Sequence, residues 1–133
     1  MSESQPTIRV VIAEDNRDLS TALCALLEQE PDLQVVATVD RCEGLLGALR
    51  DGAAQVVVLD LNLGGQSSVA QMRAVRRELP DLAVVVYSGY DFNDIASALP
   101  ALGECEYVSK SGDAAELLAA VRRAANGTAG AGN

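Results

Sequence analysis

The stretch QVVVLDLNLGGQSS, residues 55–68, places one carboxylate at the end of an otherwise apolar run. Val56, Val57, Val58 and Leu59 are aliphatic without alternation, the pattern of a strand buried on both faces, as in a parallel sheet covered by helices. A carboxylate in the middle of such a strand would be costly. Asp60 instead stands at the strand's exit, where the chain turns towards Gly64-Gly65. The crevice at the carboxyl ends of parallel strands is where sheets of this kind bind ligands. The position of Asp60 therefore points to chemistry rather than packing.

Outward from this run, strands and helices alternate. Strand-like segments fall at residues 9–13, 34–39, 56–61 and 83–87, with a short one at 107–109. Between them, Leu19, Leu23, Leu26 and Leu27 form one helical stripe, and Leu45, Leu46 and Leu49 a second. Val69, Met72, Val75 and Leu79 form a third before Pro80, and Leu117, Leu118 and Val121 the last, opened by Asp113 and Glu116 as a capping box. A fourth helix is expected over residues 93–102, kinked or stopped by Pro100, with Asp91 and Asp94 as solvated or capping residues at its start. Five such βα units with short, right-handed connections predict an α/β fold, a five-stranded parallel sheet with helices on both faces.

Composition limits the function classes. The 133 residues are 49% hydrophobic, enough for one domain with a real core. A net charge of -9 argues against direct contact with nucleic acid or an anionic membrane, and no run approaches the length of a membrane helix. Cys24, Cys42 and Cys105 are scattered and odd in number, and with no histidine a zinc pattern is excluded. They read as small buried residues of a protein in a reducing cytoplasm. Residues 1–7 read as a flexible terminus, 8–126 as the domain, and 127–133 as a Gly/Ala-rich tail or the start of a linker.

Every strand exit that can be read carries a polar group. The first strand ends in Glu14-Asp15, the third in Asp60, the fourth in Ser88 and the fifth in Lys110. Three carboxylates at one edge repel unless something positive sits among them. Mg²⁺ suits such a site, because it takes oxygen ligands and is held by one or two carboxylates with a phosphate completing its shell. Lys110 is the only lysine; the other nine basic residues are arginine. It supplies one compact ammonium able to meet a phosphate oxygen as a point charge.

In this order, over roughly residues 8–127, these residues resemble the receiver domain of two-component response regulators. The resemblance implies a flavodoxin-like, doubly wound sheet of strand order 2-1-3-4-5. It implies that Asp60 is the phosphoacceptor, that Asp15, Asp60 and the backbone carbonyl of Asn62 ligate Mg²⁺, and that Glu14 acts through a bound water. Ser88 and Lys110 would contact the phosphoryl oxygens, and Tyr107 would be the switch aromatic. The implied donor is a histidine kinase or phosphotransfer protein. The implied output is a change in the face formed by the fourth helix, fifth strand and fifth helix, which controls a partner or output domain, with self-association on phosphorylation as a further expectation. VLDLNLGGQS and Lys110-Ser111 look most like the NarL/FixJ branch, which carries a helix-turn-helix output domain after the receiver. Lacking histidine, the chain can accept a phosphoryl group but cannot be a phosphohistidine donor. It is expected to promote its own phosphorylation and dephosphorylation without being a turnover enzyme.

The chain also departs from that pattern. Gly64 replaces the usual proline, Ser68 stands where glycine is common, and Glu104 and Glu106 occupy positions where small residues are usual. Together with Pro100, the two acids are expected to alter the output face. Three other readings fit parts of the sequence. A flavodoxin-type flavin module shares the architecture, but its first loop should be rich in Ser, Thr and Gly rather than Glu14-Asp15-Asn16. A haloacid-dehalogenase-like phosphotransfer enzyme uses a similar residue set, but begins Asp-x-Asp on its first strand. A phosphorylation-independent interaction module would not need the full acidic and basic set.

Overall fold

The computed structural model describes residues 7–89, 92–97 and 99–130; Asp91 lies outside them. Five strands form the sheet: β1 (Ile8–Ala13), β2 (Leu33–Val39), β3 (Val56–Leu59), β4 (Ala83–Ser88) and β5 (Glu106–Ser109). All neighbours are parallel, in the order β2-β1-β3-β4-β5, as expected. The longer helices are α1 (Arg17–Glu28), α2 (Leu45–Asp51), α3 (Val69–Glu78) and α5 (Ala114–Gly130), with a short helical turn, α4 (Phe92–Ile95), between β4 and β5.

The unbroken apolar strands serve two cores at once. Val11, Ala13, Val57, Leu59, Val84 and Val86 face α2 and α3, packing with Leu45, Leu49, Met72 and Val75. The alternate residues Val10, Ile12, Val56, Val58, Ala83 and Val85 face α1 and α5, packing with Leu23, Leu27, Leu117 and Val121. Because side chains alternate along a strand, each residue of β3 is buried on one side or the other, at roughly 1.5–3 kcal/mol for each large side chain.

Two helical segments differ from the sequence reading. The helix expected over 93–102 is instead the short α4 followed by a 3₁₀ turn, Leu99–Leu102. Pro100 has no N–H to continue an α-helical ladder and is accommodated in the first turn of a new segment, where no donor is needed. The last helix runs to Gly130, past the end of its apolar stripe. Once nucleated, a helix adds one hydrogen bond for each further residue fixed. Its start matches the expected cap, with the Glu116 N–H donating to Asp113 Oδ1 at 3.0 Å.

Arg122 ties α5 to the loop between α1 and β2. Its Nε donates to Asp32 Oδ2 (2.9 Å), and its Nη2 to Asp32 Oδ1 (2.8 Å) and Glu30 Oε1 (2.7 Å). The two-pronged bond from Arg122 holds the Asp32 carboxyl below its ordinary range, against a smaller opposing effect of burial. A carboxyl with a depressed value stabilises the fold above its unfolded pKa and loses that contribution as pH falls through the folded one. Arg122→Ala should therefore lower stability near neutral pH by about 1 kcal/mol, a figure discounted for partial exposure. In urea unfolding the gap to wild type should close as pH drops below the ordinary aspartate range. A gap that persists there would assign the loss to packing of the arginine stem.

Candidate functional site

Backbone pairing gathers the strand exits. The Glu14 N–H donates to the Val39 carbonyl at 2.9 Å, and the Asp60 N–H to the Ala13 carbonyl at 3.0 Å, so β1 carries its own acids and holds Asp60 beside them. The Lys110 N–H donates to the Ser88 carbonyl at 2.8 Å, which fixes the fifth exit to the fourth. Asn16 caps α1 with its Oδ1, accepting from the Leu19 N–H at 3.0 Å, and so turns the chain away directly after the acidic pair.

Glu14, Asp15 and Asp60 each bring a carboxylate oxygen to a common place, all within 4.8 Å of one another. Lys110 Nζ stands among them, 2.9 Å from Glu14 Oε1 and 3.2 Å from Asp60 Oδ2. Glu14 is 4% exposed, unusual for a carboxylate. Its Oε2 accepts from the Asn16 N–H at 3.0 Å. Its Oε1 is close enough to Nζ for an ion pair but off the alignment of a hydrogen bond, and has no hydrogen-bond donor among the described residues. Asp60 Oδ1 accepts from the Asn62 N–H at 3.0 Å, and Asp15 Oδ2 from the Gly64 N–H at 3.1 Å. Burial alone would lower the Lys110 pKa, but contact with Glu14 and the charge of Asp60 outweigh it and hold the ammonium above the ordinary lysine range.

The donor set fits a hard dication. All three candidate ligands are carboxylates, and the buried Glu14 Oε1 faces only the Lys110 ammonium among the described residues. The three carboxylates carry more negative charge than one ammonium neutralises. Asp15 is exposed and Asp60 half-buried, so the cluster opens to solvent.

The other predicted residues lie around this centre. Ser88 ends β4, buried and in register with Ser109. Asn62 follows Asp60 and opens a two-residue antiparallel pairing with Gln66-Ser67. Tyr107 is on β5, half-buried against the α2–α3 core layer. Sequence reasoning did not single out Tyr87, whose ring centroid is 5.9 Å from Lys110 Nζ. Burial raises the Tyr87 phenol, with Lys110 pulling it down and Glu14 pushing it up. Nor did it assign a contact to Ser68, which is fully buried and donates its hydroxyl to the Asp60 carbonyl at 3.0 Å.

Of the two unusual acids near β5, one is paired locally. Glu106 pairs with Arg123 of α5 at 2.9 Å. Glu104 is exposed, and its carbonyl accepts from Arg76 of α3 at 2.7 Å. The same guanidinium donates to the carbonyls of Leu102 and Leu82, so α3 holds the segment leading into β5.

A parallel sheet of this order, with an acidic cluster and one lysine at its carboxyl edge, defines a class, and comparison with known proteins agrees. The chain belongs to the response regulator receiver domain family, whose pattern matches residues 10–122. It is 29% identical over 121 residues to the transcriptional regulatory protein LiaR of Bacillus subtilis (strain 168), covering 90% of this chain and 57% of that protein. It is 28% identical over 128 residues to the nitrate/nitrite response regulator protein NarP of Escherichia coli (strain K12), covering 96% and 59%. A two-component response regulator of the LuxR family from Aurantimonas sp. SI85-9A1 has a TM-score of 0.84 at 25% identity, covering 91% of this chain and 86% of that one. The chain spans a little over half the length of the curated relatives it matches. These relatives support the NarL/FixJ branch within the family, and the flavin-binding and haloacid-dehalogenase-like readings fall away. Receiver domains typically use Mg²⁺, and membership implies a histidine kinase as phosphodonor. Among the described residues no helix is long and apolar enough to cross a membrane.

Proposed function

We propose that the chain is the phosphoryl-accepting switch of a two-component phosphorelay, with Asp60 as the acceptor. The observation that carries this reading is the convergence of Glu14, Asp15 and Asp60 within 4.8 Å, with Lys110 bridging Glu14 and Asp60. An Asp60 oxygen forms the new O–P bond as the donor's bond to phosphorus breaks, and the donor leaves with the electron pair. Most of the remaining task is positioning and charge neutralisation. Asp15, Asp60 and the Asn62 carbonyl would hold Mg²⁺, with Glu14 acting through water; when bound, the ion neutralises charge on the phosphoryl oxygens. The Lys110 ammonium, already beside Asp60, exchanges part of that contact for a phosphoryl oxygen.

Ser88 and Tyr107 carry the signal in this reading. Ser88 hydrogen-bonds the phosphoryl group, and Tyr107 follows it, reshaping the surface of α4, β5 and α5 that a partner or output domain reads. A phosphoryl group shifts such an equilibrium only through contacts that differ between the two states. The chain accepts a phosphoryl group from a histidine kinase or phosphotransfer protein, and does not turn over a substrate. It works in the cytoplasm without touching nucleic acid itself, a setting supported by the net charge of -9 and by three cysteines that are all free. Self-association on phosphorylation belongs to the same reading.

The test uses intact-mass spectrometry on the whole chain. With Mg²⁺ and acetyl phosphate the protein should gain one phosphoryl group, and chelation of the metal should abolish the gain. No gain under these conditions, with the fold intact, would instead favour an interaction module that works without phosphorylation.

A further inference from the structure

The connection from β3 to α3 is a hairpin. Asn62 pairs with Ser67 and Leu63 with Gln66, leaving Gly64-Gly65 as a two-residue turn with φ of 63° and 81°. Two positive φ values in a two-residue hairpin loop are the type I′ arrangement. The hairpin holds two of the three acids of the candidate metal site. The Gly64 N–H donates to Asp15 Oδ2 at 3.1 Å, and the Asn62 N–H to Asp60 Oδ1 at 3.0 Å. At its base, Ser68 donates its hydroxyl to the Asp60 carbonyl at 3.0 Å and its N–H to the Leu61 carbonyl at 2.8 Å. The hairpin in turn rests on the loop after β2, where the Cys42 thiol lies 3.9 Å from the Leu63 carbonyl and 3.8 Å from that of Ser67. A proline at position 64 could supply none of the Asp15 contact, since it has no N–H and its φ is confined near -65°.

We propose that the Gly64 backbone amide is a positioning group for the metal site, holding Asp15 so that its remaining lone pairs face Asp60 and Glu14; the proposal rests on the Mg²⁺-dependent reading above. An ionised carboxylate has about four acceptor positions, so one N–H fixes its rotation and leaves room for a cation. Hydrogen bonds of this outer kind typically change metal affinity by about 10–100-fold when lost. Coupling of this sort is reciprocal, so bound Mg²⁺ also stabilises the closed hairpin.

Calorimetric Mg²⁺ affinity of the whole chain tests this. Gly64→Pro should weaken binding about tenfold or more, while Gly64→Asn, which keeps the N–H and tolerates positive φ, should stay within about threefold of wild type. The Asn Cβ would sit 3.3 Å from the Asp40 carbonyl, a contact that loop must ease slightly. Gly65→Asn, whose Cβ meets nothing within 4 Å, is the matched control and should also bind as wild type. A second measurement needs no change in the turn: amide hydrogen exchange at Gly64 should slow with Mg²⁺ and speed up in Asp15→Ala, with Gly65 indifferent to both. Wild-type affinity in Gly64→Pro, equal losses in the Pro and Asn variants, or a Gly64 amide indifferent to Mg²⁺ and to Asp15→Ala would each overturn the proposal. Failure of the underlying metal reading looks different, because the wild-type chain itself would then release no binding heat.

Discussion

Asp60→Asn should remain folded and gain no phosphoryl mass from acetyl phosphate and Mg²⁺, a loss of at least about 10³-fold in the rate of labelling, as expected when a nucleophile is removed. The substitution is nearly isosteric. Its amide oxygen can still accept from the Asn62 N–H, which lies 3.0 Å from Asp60 Oδ1. The hairpin contacts through the Asp60 carbonyl are backbone and unaffected. What disappears is the anionic oxygen opposite Lys110, and an amide is not a nucleophile towards phosphorus. Stability should change little, because one ion pair is lost while one charge leaves a crowded acidic cluster. Labelling of the Asn variant at the wild-type rate would move the acceptor elsewhere, and peptide mapping of the labelled product would show where.

The parts of this structure that were legible beforehand are those whose signal is local. The run from Val56 to Leu59 announces a doubly buried strand by the absence of alternation, and the polar residues that follow each strand mark its exit. Glu14, Asp15, Asp60 and Lys110 could therefore be assigned to one edge before any contact was known. What could not be read depends on register between distant segments. Tyr87 lies beside Lys110 because β4 and β5 pair Tyr87 with Val108 and Ser88 with Ser109, and no local pattern sets that match. Arg76 gathers three carbonyls from segments 6 to 28 residues away, and Glu106 finds Arg123 across 17. The Gly64-Gly65 turn did carry a hairpin signal, but its flanking strands are two residues each, too short for any period to show. The fourth helix was overestimated because apolar residues continue to Leu102, whereas α4 ends at Ile95 and Pro100 lies in the separate 3₁₀ turn that follows.

Lys110→Met should produce the largest change in stability, and the change should depend on Mg²⁺. In wild type the ammonium is the sole cation bridging Glu14 and Asp60 among the described residues, and their side chains are only 3% and 13% exposed. Removing one partner from a buried charge pair typically costs about 3–5 kcal/mol, and the solvent-facing mouth of this site favours the lower end, about 3 kcal/mol in metal-free buffer. Because its neighbours raise the Lys110 pKa, the stabilisation is fully present below the ordinary lysine range and is lost only as pH rises through the higher folded value. From neutral pH upward the gap between wild type and variant should thus stay level and then narrow in strong base. Mg²⁺ acts in the opposite direction. Lysine and metal compete for the same oxygens, so the variant should bind Mg²⁺ more tightly and gain more from it, as ligand-linked stabilisation grows with the ratio of free ligand to Kd. Urea unfolding of both proteins, with chelator and with millimolar Mg²⁺, measures both effects. Equal stability under chelator would show that the acids are compensated without Lys110. A smaller Mg²⁺ increment in the variant than in wild type would show that lysine and metal cooperate at this site, with the ammonium helping to arrange the carboxylates that the ion binds.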